Sequence, residues 1–147
     1  MIERRLKTAI LLYLWVALLE DTALFVMTCI APGVWFRVFH AAAPAGLEIA
    51  FLRRTGGQWA AFALAQAIAI WRWKNDPVWL VVVAGVRFSD LFTDLIYVLA
   101  VPSLTRLGWA LLLPPPVLNL IGVVIMLLGY KQARKPVSET GAAATRL

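Results

Sequence analysis

The chain has 147 residues, room for one domain. It is 62% hydrophobic with a mean hydropathy of +0.80, which excludes an ordinary soluble domain, where about half the residues are apolar. The net charge is +6, but the cations flank apolar runs. They read as charge that meets anionic lipid and orients spans, not as a nucleic-acid surface.

The N-terminus, "MIERRLK" followed by "TAILLYLWVALL", has the outline of a secretory signal. No small-x-small cleavage site follows it; Glu20 and Asp21 do, and then more apolar sequence. The segment reads as a retained anchor. Its span, at about residues 8–31, is closed by Pro32-Gly33, and such a span takes roughly 20 apolar residues. The stretch from Pro32 to Gly56 carries Trp35, Phe36, Phe39, Leu47, Ile49, Phe51 and Leu52. It reads as a long outer loop lying at the interface or partly re-entrant.

A second span is predicted at about residues 57–73, behind "RRTGG". In it Ala61, Ala65 and Ala69 form a ridge of small residues suited to close helix packing or to a homo-oligomer seam. The third, at about 78–101, starts after Asp76-Pro77 and stops at Pro102. The fourth, at about 109–130, meets prolines at 114, 115 and 116. It either starts there or kinks there. Residues 136–147 are small and polar and read as a disordered cytoplasmic tail.

Arg4, Arg5 and Lys7, then Arg72 and Lys74, then Lys131, Arg134 and Lys135 fall on one side of a four-span chain. Arg37, Arg53, Arg54 and Arg106 fall on the other. This bias places both termini in the cytoplasm. Trp35, Trp59 and Trp109 fall near the outer boundary and Trp71, Trp73 and Trp79 near the inner one, as an aromatic belt does. The predicted fold is therefore all-α: a polytopic membrane protein over residues 1–135, a four-transmembrane-helix bundle with both termini inside. The expected location is a cell membrane, of the prokaryotic inner type.

The third span contains "RFSDLFTD". Arg87, Asp90 and Asp94 share one helix face, which continues to Tyr97. A charge at the bilayer centre costs about 2.5 kcal/mol or more, so this face is expected to look into the bundle or a wet cavity. Glu20 and Asp21 lie about twelve residues into span one, and Asp90 about twelve past Val78. At 1.5 Å per residue both are about 18 Å along their helices. One cluster of Glu20, Asp21, Arg87, Asp90 and Asp94 is expected. Gln66 and Asn119 stand beside it, and Tyr13 and Tyr97 close its ends.

Four acids against one fixed cation leave an excess of negative charge that a low dielectric does not tolerate. Protonation, a bound cation or ligand, or access to water would relieve it. A clamp between helices needs only balance. The leading expectation is a site that binds or conducts a proton, cation or small cationic ligand. Arg87 would hold one acid ionised, with Asp90 and Glu20 titrating or ligating and Asp94 and Asp21 as a second pair. The rival is an accessory subunit whose cluster locks helices together while its outer faces dock on a larger membrane complex. An intramembrane enzyme with paired carboxylates ranks last, since no nucleophile or cofactor motif accompanies the acids. A cofactor is not expected, and a metal at the cluster is left open. His40, the one histidine, reads as a solvated loop residue, and with Cys29 alone no Cys/His zinc set exists. Cys29 reads as an apolar filler.

The layout of a long first span, a long outer loop, "RRTGG" at the entry to span two and two closely spaced spans resembles the small four-helix DoxX-like membrane proteins over about residues 8–130. The resemblance implies a partner or subunit of a redox system. It does not account for the intramembrane acids, and no site residue is taken from it.

Overall fold

The computed structural model describes residues 2–40 and 42–134, so the predicted tail lies outside the described residues. The described chain is all helix and connections. Helix α1 runs Arg4–Ile30, α2 is the single turn Pro32–Trp35, and a wide π-helical turn follows at Phe36–His40. Helix α3 runs Gly46–Arg72, α4 Val78–Ala100, α5 Arg106–Leu112 and α6 Pro115–Ala133.

The breaks follow from local chemistry. Pro32 occupies the first turn of α2, where its missing amide is harmless, and Ala31 leaves helical geometry to make room for it. The Asp76 carboxylate accepts from the Val78 amide (3.2 Å) and starts α4. Thr105 caps α5 by accepting from the Gly108 amide at 2.9 Å. The proline run makes a break: α5 stops at Leu112 and α6 starts at Pro115.

The expected outer loop is largely helical. Helix α3 begins at Gly46 rather than near Gly57, and the Glu48 carboxylate in its first turn accepts from the Ala45 amide at 2.7 Å. The glycine pair at 56–57 signalled a boundary, yet Gly56 serves close packing. A Cβ there would come within 2.5 Å of Thr28 Oγ1 and 2.6 Å of Cys29 Sγ. The ridge that α3 turns inward is Gly56, Trp59, Ala63, Gln66 and Ala69, whereas Ala61 is exposed and Ala65 half-buried.

Helix α1 packs most closely on α3 and α4 on α6, with lesser contact between α3 and α4 and between α1 and α6. The helices α1 and α4 therefore face each other across a diagonal. Three layers fill the interior. At the end holding the N-terminus, Ile10, Leu14, Ala69, Trp73, Leu80, Val83, Ala84 and Met126 form an apolar core. At the opposite end Trp35, Phe39 and Trp59 form a second. Between them lie the buried polar side chains of Asp21, Gln66, Arg87, Asp90 and Asn119.

The outside is the inverse. Leu19, Ile30, Leu64, Ile96 and Leu99 are each more than 60% exposed. Two stretches, Arg4–Ile30 and Arg106–Ala133, are long and apolar enough to cross a bilayer. Of the six tryptophans assigned to a belt, Trp35, Trp59 and Trp73 turn inward, while Trp71 and Trp109 are exposed.

The cap over the second core is pinned by α5. The Thr105 amide donates to the Phe39 carbonyl (2.8 Å) and its hydroxyl to the Val38 carbonyl (2.6 Å). Gly108 lets the helix approach: a Cβ there would stand 2.5 Å from the Phe39 carbonyl oxygen, which is backbone and cannot rotate aside. Gly108→Ala is therefore expected to destabilise by about 1–3 kcal/mol, as overpacking does, and a thermal unfolding midpoint reads the loss.

Candidate functional site

Arg87 is the centre of the polar layer. It is 1% exposed, and its long stem reaches across the bundle diagonal from α4. Nη2 donates to Asp21 Oδ2 on α1 in a close ion pair. Nη1 donates to Asp90 Oδ2 at 3.3 Å, one turn along α4, and to Asn119 Oδ1 on α6 at 3.2 Å. Gln66 on α3 donates to the same Asp21 oxygen at 2.6 Å. All four long helices thus meet through one guanidinium and its partners. A planar guanidinium with fixed donors suits such a hub better than lysine would.

Asn119 extends the network. Its amide donates to Asp94 Oδ2 at 2.9 Å and to Asp90 Oδ2 at 3.4 Å while its carbonyl accepts from Arg87. The Thr93 hydroxyl contacts Asp90 Oδ1 at 3.4 Å and bonds the Asp90 carbonyl at 3.0 Å. Some groups remain without partners. Asp21 Oδ1, Gln66 Oε1 and Arg87 Nε are buried and make no hydrogen bond among the described residues. Glu20, half-buried, makes none there either.

A cavity of about 780 Å³ opens beside this network, between the polar layer and the aromatic cap. Glu20, Asp21, Asp90, Asp94 and Asn119 line one end of it. Trp35, Phe39, Trp59, Phe62 and Tyr97 are among those that line the rest. No lysine or arginine among the described residues lines it, because Arg87 stands behind Asp21 and Asp90. Among the described residues no three acid, histidine or cysteine groups are grouped as metal ligands would be. The site is a lined chamber rather than a ligand knot.

The structure thus brings Glu20, Asp21, Arg87, Asp90 and Asp94 to one place, with Gln66 and Asn119 bonded into the network. Tyr97 lines the cavity. Tyr13 lies outside the cavity wall. Its hydroxyl donates to the Leu118 carbonyl at 3.3 Å, against the bare backbone of Gly122. Sequence reasoning missed the aromatic wall, because Trp35 and Trp59 were read as belt residues facing lipid headgroups. It also missed His40, expected in solvent. Its Nε2 meets the Tyr97 hydroxyl, and its Nδ1 lies 3.0 Å from the Ser103 carbonyl. The signal available was the run "VWFRVFH", too aromatic for a free loop. Comparison with protein-family models, with curated proteins and with solved structures finds no match for the chain.

Proposed function

We propose that the chain is a four-span membrane protein, with both termini in the cytoplasm, that binds a cation in the acidic cavity. The class includes a proton, an inorganic cation or a small cationic ligand, held or passed between carboxylates. The four-span reading draws support from the inverted architecture. Phe88, Phe92, Leu95 and Ile96 point out of α4 while Arg87 and Asp90 point in. Any 18-residue window of α4 includes Arg87, Asp90 and Asp94, whose charge is turned inward and does not oppose a span.

One observation carries the cation reading: four carboxylates and, among the described residues, no lysine or arginine line a single cavity. A chamber walled by low-dielectric groups focuses such a field and concentrates cations. Asp21 and Asp90 have Arg87 for balance. Glu20 and Asp94 have no cation within ion-pair distance among the described residues.

A second reading has its own support. The network joins all four long helices, as a clamp in an accessory subunit of a membrane complex would. The two readings part at Glu20 and Asp94, which a clamp does not need. In the full chain, held in phosphatidylcholine nanodiscs, the double variant Glu20→Gln/Asp94→Asn is expected to unfold no lower than the parent. It removes like charges and keeps an amide where Asn119 bonds. Sodium, potassium or methylammonium is expected to raise the parent's unfolding midpoint in step with the logarithm of its concentration, a stabilisation of about 2.7 kcal/mol at a hundredfold excess over the dissociation constant, and to leave the variant unmoved. A midpoint indifferent to all three and to proton concentration, or moving alike in both proteins, would leave the clamp as the account.

A further inference from the structure

The cavity's shape and its unsatisfied acceptors narrow the cation. We propose that it takes a primary or secondary ammonium carried on an apolar body, the N–H donors at Glu20, Asp21 and Asp94 and the body among Trp35, Phe39 and Trp59. The assignment rests on the cation-binding reading above and goes further by naming the ligand's chemistry.

Three observations carry it. First, two carboxylates at the acidic end have acceptor capacity left unfilled. Asp21 is 1% exposed, lines the cavity, and its Oδ1 has no donor among the described residues. Glu20 lines the same end, also with no donor there. A buried acceptor left unmade is costly, and a charge-assisted N–H bond is the strong way to satisfy it. A quaternary ammonium brings charge but no such donor.

Second, the chamber is much larger than a bare ion. At about 780 Å³ it lies within the range of small-molecule pockets. An inorganic cation held at one end would leave the aromatic remainder of the space unexplained. The acids are also not gathered as a metal's oxygen shell would be.

Third, the rest of the wall suits an apolar body beside a cation. Trp35 packs on Phe39 with ring centroids 4.5 Å apart, on Trp59 at 5.8 Å and on Tyr97 at 6.4 Å. Tyr97 is three residues past Asp94, about 4.5 Å further along α4, so the aromatic wall begins one turn beyond the acids. Aromatic faces next to a carboxylate favour an alkylammonium by area and by cation–π attraction. An aminophospholipid offers the same ammonium but brings a phosphate. With no lysine or arginine among the described wall residues to meet it, the free amine is the better fit.

The test uses the full chain in phosphatidylcholine nanodiscs and the fluorescence of its own tryptophans, two of which line the cavity. Octylammonium, octyltrimethylammonium and 1-octanol are titrated in turn. Octylammonium is expected to bind saturably, at least about tenfold tighter than the quaternary analogue, the effect of one charge-assisted hydrogen bond. Octanol is expected to show only linear partition into lipid. Glu20→Gln/Asp94→Asn is expected to lose about tenfold or more of the octylammonium affinity by the same reasoning. The primary-against-quaternary comparison needs no variant, so it stands even if the double variant fails to fold. Replacing part of the lipid by phosphatidylethanolamine is expected to leave the affinity unchanged, and competition by that lipid would overturn the assignment to a free amine. Equal binding of the two ammonium ions would also overturn the proposal, as would saturable octanol binding. If octylammonium does not saturate while sodium or methylammonium still raises the parent's unfolding midpoint, this inference fails and the cation-binding reading survives.

Discussion

Arg87→Leu is expected to destabilise the protein by about 3–5 kcal/mol, the loss that follows when one partner of a buried ion pair is removed. The substitution leaves an apolar side chain and removes the guanidinium. Asp21 then retains one donor, Gln66, for two buried carboxylate oxygens. Asp90 loses its cation, and the Asn119 carbonyl loses its donor. Four helices share this hub, so the loss is expected in cooperative unfolding of the whole bundle rather than in fraying of one end. Reversible unfolding in mixed micelles measures it. Adding Asp21→Asn to Arg87→Leu is expected to recover much of the loss, because the stranded charge goes with it. Asp21→Asn alone is expected to cost less than Arg87→Leu, since Asp90 and Asn119 still hold the guanidinium. Equal and additive losses from the two single changes would mean that Arg87 and Asp21 do not act as a pair.

Asn119→Leu is the second large effect, at about 2–3 kcal/mol. Leucine keeps the branching of asparagine but replaces its amide by two methyl groups. The polar consequences are several. Arg87 Nη1 loses one of its two acceptors, and Asp94 loses the one donor it has among the described residues. Helix α6 then holds α4 by apolar contact alone at this depth. Asn119→Asp is expected to be worse, because it adds a fifth acid where the amide had donated. An Asn119→Leu protein as stable as the parent would show that the amide is a bystander, with the network ending at Asp90.

How much of this was legible in the sequence follows from which signals are local. The polar face was legible because Arg87, Asp90 and Asp94 recur at helical spacing within an apolar run. Equal depth of Glu20-Asp21 and Asp90 came from counting residues at a fixed rise. Helix ends at Pro32, Val78 and Pro102 were legible from proline and capping chemistry, and α6 does start within the proline run. The start of α3 was not. Gly56-Gly57 looks like a boundary locally, and only the approach of Thr28 and Cys29 shows why glycine sits mid-helix. The aromatic wall was hidden for a related reason. A tryptophan near a membrane boundary has the same local signature whether it faces headgroups or the bundle interior. Direction depends on the fold of the Pro32–His40 segment, held by Thr105 from far along the chain. The diagonal placement of α1 and α4 was equally invisible.

The cavity also explains an economy in the network. Both terminal nitrogens of Arg87 are engaged, by Asp21, Asp90 and Asn119 together, which stand between it and the chamber. Its charge is largely spent there. Glu20 and Asp94 face the open space with their charge unanswered by any described cation. A protein selected only for stability gains nothing from this, since like charges at short range in low dielectric repel. On the proposed reading, structural and ligand roles divide between neighbouring residues of one cluster.

The most direct measurement is infrared difference spectroscopy of the full chain in phosphatidylcholine nanodiscs, recorded as sodium, potassium and methylammonium are each added and removed and as the pH is varied. The account predicts reversible, saturable shifts in the carboxyl and carboxylate bands of the parent protein, lost in Glu20→Gln/Asp94→Asn and retained in Gly57→Ala, whose added methyl group meets nothing within 4 Å. Carboxyl bands that stay still in the parent, or that shift equally in the double variant, would contradict it.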